Sequence, residues 1–286
     1  MMIIDLHNDT AYRMYFENQK LSENNLHVDL KKQEVIDILP FYAIFIDPEK
    51  TKGNILGYFY NLYDNFMKEP PEKYVLTLEG GGLIDCIEKV DLLKRLNIKA
   101  VTLTWNDSNK IASSQMSGDK GGLTEFGYSV IDRMLENDII PDLSHISDQA
   151  FYDVMDYSKK PILVSHSNSR VICDFPRNIT DDMFLKIIKN KGVVGINFCC
   201  DFLGKNPNIS AIVNHIEHFL SLGGEDNIGF GSDFDGIPCL PEGISDISDF
   251  PKIIEEMLRR NIKESVVEKI SYKNVQKLLT NYNLCV

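Results

Sequence analysis

Ile4-Asp5-Leu6-His7-Asn8-Asp9-Thr10 closes a short apolar run that opens at Met2, and it ends on a histidine and an aspartate two residues apart. In a strand, side chains at i and i+2 share a face. A strand over 2–7 therefore carries His7 and Asp9 forward together from its C-terminal end, as two metal-type ligands on a rigid support. One such pair also arises by chance, so the fold turns on whether the pattern returns. Apolar, β-branched runs recur at 39–46 (LPFYAIFI), 74–79 (YVLTLE), 99–105 (KAVTLTW), 139–145 (IIPDLSH), 161–166 (PILVSH), 192–198 (GVVGINF) and 228–234 (IGFGSDF), which makes eight with the first.

Helical spacing fills the intervals. Ile84, Ile87, Val90, Leu93 and Leu96 fall on one face of a segment over 84–96, and 126–135 is a second such segment. Ser147 is placed to cap a helix over 147–155. Thr180 is placed to open a helix with acids in its first turn that closes at Gly192. Eight strands alternating with helices predict a parallel (β/α)8 TIM barrel, one domain over residues 1–286, in preference to a doubly wound open sheet.

The chain has 286 residues, 43% of them hydrophobic, and a net charge of -12. Binding nucleic acid needs a basic stripe; the short basic runs at 31–33 and 259–263 read as solvated surface. No apolar run is long enough to span a membrane. The N-terminus lacks the basic-then-apolar pattern of a signal peptide. A cytoplasmic protein is expected, with no membrane and no nucleic-acid partner. The cysteines at 86, 173, 199, 200, 239 and 285 show no CxxC spacing, so reduced thiols are expected and a zinc–thiolate site is not.

The chemistry of such barrels sits at the C-terminal ends of the strands. Here those ends read His7 and Asp9, Glu79, Trp105, His145, His166 and Asp233. Imidazoles and carboxylates suit divalent zinc, and a bridging carboxylate can hold two ions about 3.5–4 Å apart. Metal binding lowers the pKa of water, and Asp233 is placed to take its proton and pass it to a leaving amine. Each residue taken alone also has a structural reading: a histidine satisfied at a strand end, Glu79 as a helix cap, Asp233 as a turn residue. Their joint recurrence at strand ends favours the metal reading. His27 reads as a loop residue, and His215 with His218 as helix-packing or surface residues. Cys199 and Cys200 fit a pocket wall or the core equally. GFGSDF does not match the G-x-S-x-G elbow of serine hydrolases. Arg177 can grip a carboxylate with two parallel hydrogen bonds, although its neighbours alone suggest a surface salt bridge.

These residues together resemble the membrane dipeptidase (renal dipeptidase) family of zinc peptidases, within the amidohydrolase-like barrels. The matching stretches are DLHNDT (5–10), LEGG (78–81), TLTWN (102–106), GLTEFG (122–127), DLSH (142–145), SHSNSR (165–170), PRNITDD (176–182) and GFGSDFDG (229–236), in family order along nearly the whole chain. The resemblance implies two zinc ions per chain, one on His7 and Asp9, the other on His145 and His166, with Glu79 bridging. It implies that Arg177 binds the carboxylate of a dipeptide, that Asp233 contacts its ammonium and assists proton transfer, and that D-residues are accepted at the C-terminal position. A homodimer is possible on the same ground. Trp105 stands where well-studied relatives carry a histidine, and an indole donates one hydrogen bond but carries no proton or charge. It is therefore a substrate-contact residue in this reading, in a microbial-type member. The competing expectations are another metal-dependent amidohydrolase, acting on N-acyl amino acids or lactones, and a non-catalytic dipeptide-binding barrel.

Overall fold

The computed structural model describes residues 1–284. Its strands are β1 (Ile3–Asn8), β2 (Ile38–Phe45), β3 (Val75–Glu79), β4 (Ile98–Thr102), β5 (Ile140–Asp142), β6 (Leu163–Val164), β7 (Val193–Ile196) and β8 (Ile228–Phe230). They pair in parallel, each with the next, and β1 pairs with β8 to close the barrel. The (β/α)8 barrel expected from the strand count is therefore the fold. Helices α1 (Thr10–Glu17), α2 (Leu30–Gln33), α3 (Ile55–Phe66), α4 (Glu88–Arg95), α5 (Glu125–Glu136), α6 (Asp148–Tyr157), α7 (Asp181–Asn190), α8 (Cys200–Leu203) and α9 (Ile209–Ser221) fill the crossovers. After β8 come α10 (Phe250–Arg259), α11 (Glu264–Glu268) and α12 (Asn274–Thr280). No helix among the described residues is long and apolar enough to cross a membrane.

The helix starts follow from short polar side chains that satisfy orphan backbone donors. Thr124, Ser147, Thr180 and Asn208 accept from Gly127, Ala150, Met183 and Ala211 N–H at 2.9, 3.1, 3.2 and 2.9 Å, each stabilising by about 1 kcal/mol. Two expected boundaries shift. The segment read as a helix from Ile84 begins instead with a 3-10 turn at Gly81–Leu83, and α4 starts at Glu88. Gly80, at φ 87°, takes a left-handed turn that a continuous helix cannot contain. The left-handed residue that ends α7 is Lys191, at φ 64°, not Gly192.

Two apolar layers hold the barrel. The outer one lies between strands and helices and includes Tyr42, Leu76, Val101 and Ile196. The inner one gathers Leu6, Phe41, Ile140 and Leu163 from the strands with Val275, Leu278 and Leu279 from α12, so the last helix plugs the barrel. Side-chain alternation then decides what reaches the opposite mouth. Val75 belongs to the inner layer, so Thr77 and Glu79 follow it inward. On β1 strict alternation fails. Ile4 and Leu6 are inner and Ile3 is outer, which would send His7 outward. Between Asp5 and Asn8 the pairing with β2 takes one extra residue, a bulge that re-aims His7.

Gly231, just past β8, has no room for a side chain. A Cβ there would lie 1.8 Å from the carbonyl oxygen of Ser165, the residue before His166. Gly231→Ala is expected to lower stability by about 3 kcal/mol, at the upper end of overpacking costs, read from the denaturation midpoint in urea. A variant within about 0.5 kcal/mol of the parent, the range of neutral substitutions, would contradict this packing.

Candidate metal centre

His7 stands at the end of β1, and Asp9 follows as the residue before α1. Glu79 ends β3. His145, His166 and Asp233 lie two to three residues past the ends of β5, β6 and β8, so the strands are shorter than the sequence runs suggested. His145 and Asp233 reach inward through left-handed backbone, at φ 69° and 63°, a conformation that His and Asp tolerate better than most residues.

All six groups converge. The two carboxylate oxygens of Glu79 divide the site. Oε2 is 3.5 Å from His7 Nε2; Oε1 is 3.0 Å from His145 Nε2 and 3.5 Å from His166 Nε2. His7 Nε2 is also 3.5 Å from Asp9 Oδ2 and 3.9 Å from Asp233 Oδ1. Glu79 is 3% exposed.

The far side of each imidazole fixes its tautomer. The Ser165 hydroxyl donates to the Asp142 carboxylate, so it must accept from His166 Nδ1–H at 2.7 Å. His145 Nδ1 lies 3.1 Å from the side-chain oxygen of Asn106, which can only accept. Both Nε2 atoms therefore turn lone pairs toward each other, 2.9 Å apart, and toward the same Glu79 oxygen. Burial lowers the pKa of both rings, with the Arg177 charge adding to it, and His145 falls to about 4. Neutral lone pairs around an anionic oxygen repel unless a cation sits among them. His7 Nε2 and Asp9 Oδ1 are also buried without any hydrogen bond. This donor set fits divalent metal ions: His7, Asp9 and Glu79 on one side, His145, His166 and Glu79 on the other. In the protein alone, burial opposes charge on His7, but the Glu79 and Asp9 carboxylates outweigh it and raise its pKa well above the ordinary value. Glu79 moves the other way: burial raises it, and the His7 charge holds it well below the carboxylate range.

A cavity of about 330 Å³ opens over the cluster, lined in part by Tyr12, Phe45, Trp105, Met116, Arg177 and Ile237. Arg177 is not the surface salt-bridge residue its neighbours suggested. It is 5% exposed, its guanidinium touches the His166 carbonyl at 3.4 Å and faces the Phe202 ring, and no ion pair engages it among the described residues. Burial lowers its pKa, yet guanidinium stays charged. It is an uncompensated cation facing the cavity. Asp233 is pushed up to about 7, chiefly by burial, and Asn197 Nδ2 donates to its Oδ2 at 2.9 Å. Trp105 lies three residues past β4, half-buried, with its ring 4.9 Å from Phe45 and 6.3 Å from His145.

Sequence reasoning missed several supports. Ser165 and Asp142 lie inside the quoted SHSNSR and DLSH stretches, so their signal was present but unassigned. His27, read as a loop residue, exchanges bonds with Asp235: its backbone N–H donates to Oδ1 at 2.7 Å, and its Nδ1 accepts from Asp235 N–H at 3.0 Å. His215 is wholly buried, and its Nδ1 accepts from Ser169 N–H at 3.1 Å. His218 pairs with Asp181 at 2.7 Å. The expectation of reduced thiols is corrected for one pair. Cys200, at the start of α8, is bonded to Cys239 in the segment after β8. They are 39 residues apart in sequence, and adjacent strands β7 and β8 bring them together, which spacing alone does not reveal. Cys86, Cys173 and Cys199 are free, and Cys285 lies outside the described residues.

Fold and site together define a (β/α)8 barrel with a buried carboxylate–imidazole cluster at its C-terminal mouth. The model of one family, membrane dipeptidase (peptidase family M19), matches residues 64–284, and the chain belongs to that family. The match starts beyond β1, so His7 and Asp9 lie outside it. An uncharacterised dipeptidase of Schizosaccharomyces pombe is 33% identical over 192 residues, 64% of this chain and 46% of that protein. Dipeptidase tcpJ of Claviceps purpurea is 33% identical over 193 residues, 66% of this chain and 45% of that protein. The chain thus spans about half the length of the curated relatives it matches. In fold, it superposes on a metallopeptidase of Rhodobacter sphaeroides bound to a phosphinate mimic of L-Ala-D-Ala, with a TM-score of 0.87, 20% identity, and 99% of each chain covered.

Two outcomes follow from these contacts. Ser165→Ala removes the acceptor that fixes the His166 tautomer, and zinc affinity measured by calorimetry is expected to fall about 10–100-fold, as for other such supporting partners. An unchanged affinity would contradict the tautomer assignment. Separately, burial lowers the His215 pKa from 6.5 to about 4. Between those values the unfolded chain takes up a proton that the folded one refuses, so stability is lost as pH falls from about 6.5 toward 4, by ~3 kcal/mol in all. Urea unfolding of the parent and His215→Gln at pH 7 and 4.5 reads this difference, and equal pH slopes would contradict it.

Proposed function

We propose that this protein is a metal-dependent dipeptidase, built as one barrel domain over residues 1–286, with zinc as the metal and two ions per chain. The observation that carries the reading is the pairing of the Glu79 cluster with a buried Arg177, without an ion pair among the described residues, on one cavity. His7 and Asp9 would hold one ion, His145 and His166 the other, and Glu79 would bridge them. Bound there, such ions supply Lewis acidity toward a carbonyl and lower the pKa of water. The family's relatives named dipeptidases, and the R. sphaeroides protein with its dipeptide mimic, support the same substrate class.

The chain's own groups then set the reaction. Arg177 binds the substrate carboxylate in a fork geometry, which offsets the cost of its burial. Asp233, after β8 and close to the cluster, receives the substrate ammonium. Its carboxylate takes a proton from water and returns it to the departing amine. Trp105 and Phe45 line the cavity ring against ring and offer an apolar face to the substrate. The two charged anchors select length. A longer peptide, or one with a blocked end, leaves one buried charge without its partner, which costs several kcal/mol. A D-residue at the C-terminal position fits the same grip, since its carboxylate reaches Arg177 equally.

The test is a substrate panel on metal-free protein with and without added zinc: L-Ala-L-Ala, L-Ala-D-Ala, an Ala tripeptide and N-acetyl-Ala-Ala. Zinc-dependent cleavage of the free dipeptides alone is expected, and Arg177→Ala should lower kcat/KM by about 100-fold or more, the scale of a lost charged contact. Cleavage of the N-acetyl substrate with none of the free dipeptides would overturn the dipeptidase reading in favour of an N-acyl amino acid hydrolase. Binding of dipeptides without turnover would leave a non-catalytic barrel.

A further inference from the structure

The cavity over the cluster has a larger neighbour. A second cavity of about 410 Å³ opens among the segments that follow β2, β3 and β4, and Trp105 lines both. Resting on the dipeptide reading above, we propose that this second chamber is a side-chain subsite that takes a bulky apolar side chain of the bound dipeptide past the edge of Trp105.

The chamber's chemistry sets the class of ligand. Ile46, Pro48 and Ile55 form its apolar wall, and the indole of Trp105 closes it toward the metal cluster. Its polar residues are turned to other work or to solvent. Asp85 is exposed and paired with Lys89 at 2.8 Å. Asn109 spends its amide on the protein, donating to the Leu103 carbonyl and accepting from Ile111 N–H, both at 2.8 Å. Asp107, Ser108 and Lys110 are exposed. What remains inside is apolar surface, and such surface selects apolar groups.

Two features make the chamber reachable and roomy. Trp105 is half-buried, anchored through its backbone carbonyl, which accepts from the Ser114 hydroxyl, and its ring leans on Phe45. No protein hydrogen bond engages its indole N–H among the described residues. The ring is a partition with space on two sides, not a clamped wall. Gly82 opens the other side: a Cβ there would meet nothing within 4 Å. Any longer residue at 82 would take up volume that the subsite leaves to substrate.

Arg177 follows β6 and Asp233 follows β8, while the chamber lies on the β2–β4 side of the mouth, across from both. The side chain can therefore come from either residue of the dipeptide, and the two are separated by experiment. With zinc-loaded protein, kcat/KM is measured for Ala-Ala, Phe-Ala and Ala-Phe in the parent, in Gly82→Leu and in Ile55→Trp, which fills the chamber from the opposite wall. The readout is the ratio of each Phe dipeptide to Ala-Ala. In the parent one ratio is expected to be about tenfold or more, the scale on which apolar pockets discriminate, and both variants should bring that ratio down toward one. A response in Phe-Ala assigns the chamber to the amino-terminal residue; a response in Ala-Phe assigns it to the carboxy-terminal one. The inference is overturned alone if the parent cleaves Ala-Ala but both ratios are near one, or if both variants leave the ratios unchanged or lower all three substrates equally. A parent that cleaves none of the three overturns the dipeptide reading and this inference with it.

Discussion

Everything in the mouth of this barrel answers to one carboxylate. Glu79 is buried among the ring nitrogens of His7, His145 and His166, with each of its oxygens facing at least one of them. An ionised carboxylate is costly to bury unless cations and donors surround it. The tautomers of His145 and His166 deny it donors, since each spends its ring proton on Asn106 or Ser165 instead. The positive charge must come from elsewhere: a proton on His7 in the protein alone, and metal ions when the site is filled. The cluster is thus arranged for cations that the chain does not itself supply.

That arrangement is held by a layer of polar groups just beneath it. Asp142 accepts from the backbone N–H groups of Ser144 and Ser165 at 3.1 and 2.9 Å and from the Thr102 hydroxyl at 2.8 Å, tying β4, β5 and β6 together under two histidines. On the opposite side Asp5 accepts from the Ser232 N–H and hydroxyl at 2.7 and 2.6 Å, tying β1 to β8 under His7 and Asp233. Buried polar networks rigidify when every member is satisfied. Here they do so between the apolar plug of α12 and the open cavity, where the barrel would otherwise be free to breathe.

The fold was legible because strand runs and helical faces recur in strict alternation, and the barrel closes in chain order. The candidate ligands were legible because a parallel barrel places every strand end on one rim, so a list of strand ends is also a list of neighbours. What was not legible depended on geometry without a sequence period. The bulge in β1 leaves no mark on IDLHNDT, yet without it His7 would face the helices. The Cys200–Cys239 bond joins residues that only the pairing of β7 with β8 brings close. Arg177 looks like a surface residue from its polar neighbours, and its burial comes from the loop after β6 folding back over the mouth, with Ser167 donating to its carbonyl at 2.8 Å. His27 lies far from the site in sequence and reaches Asp235 only because the segment before α2 wraps the rim.

The central claim is that Glu79 stands between two metal positions. Anomalous diffraction at the zinc edge from zinc-loaded crystals tests it most directly. The account predicts two peaks per chain, one among His7, Asp9 and Glu79 and the other among His145, His166 and Glu79. A single peak, or peaks away from Glu79, would contradict it.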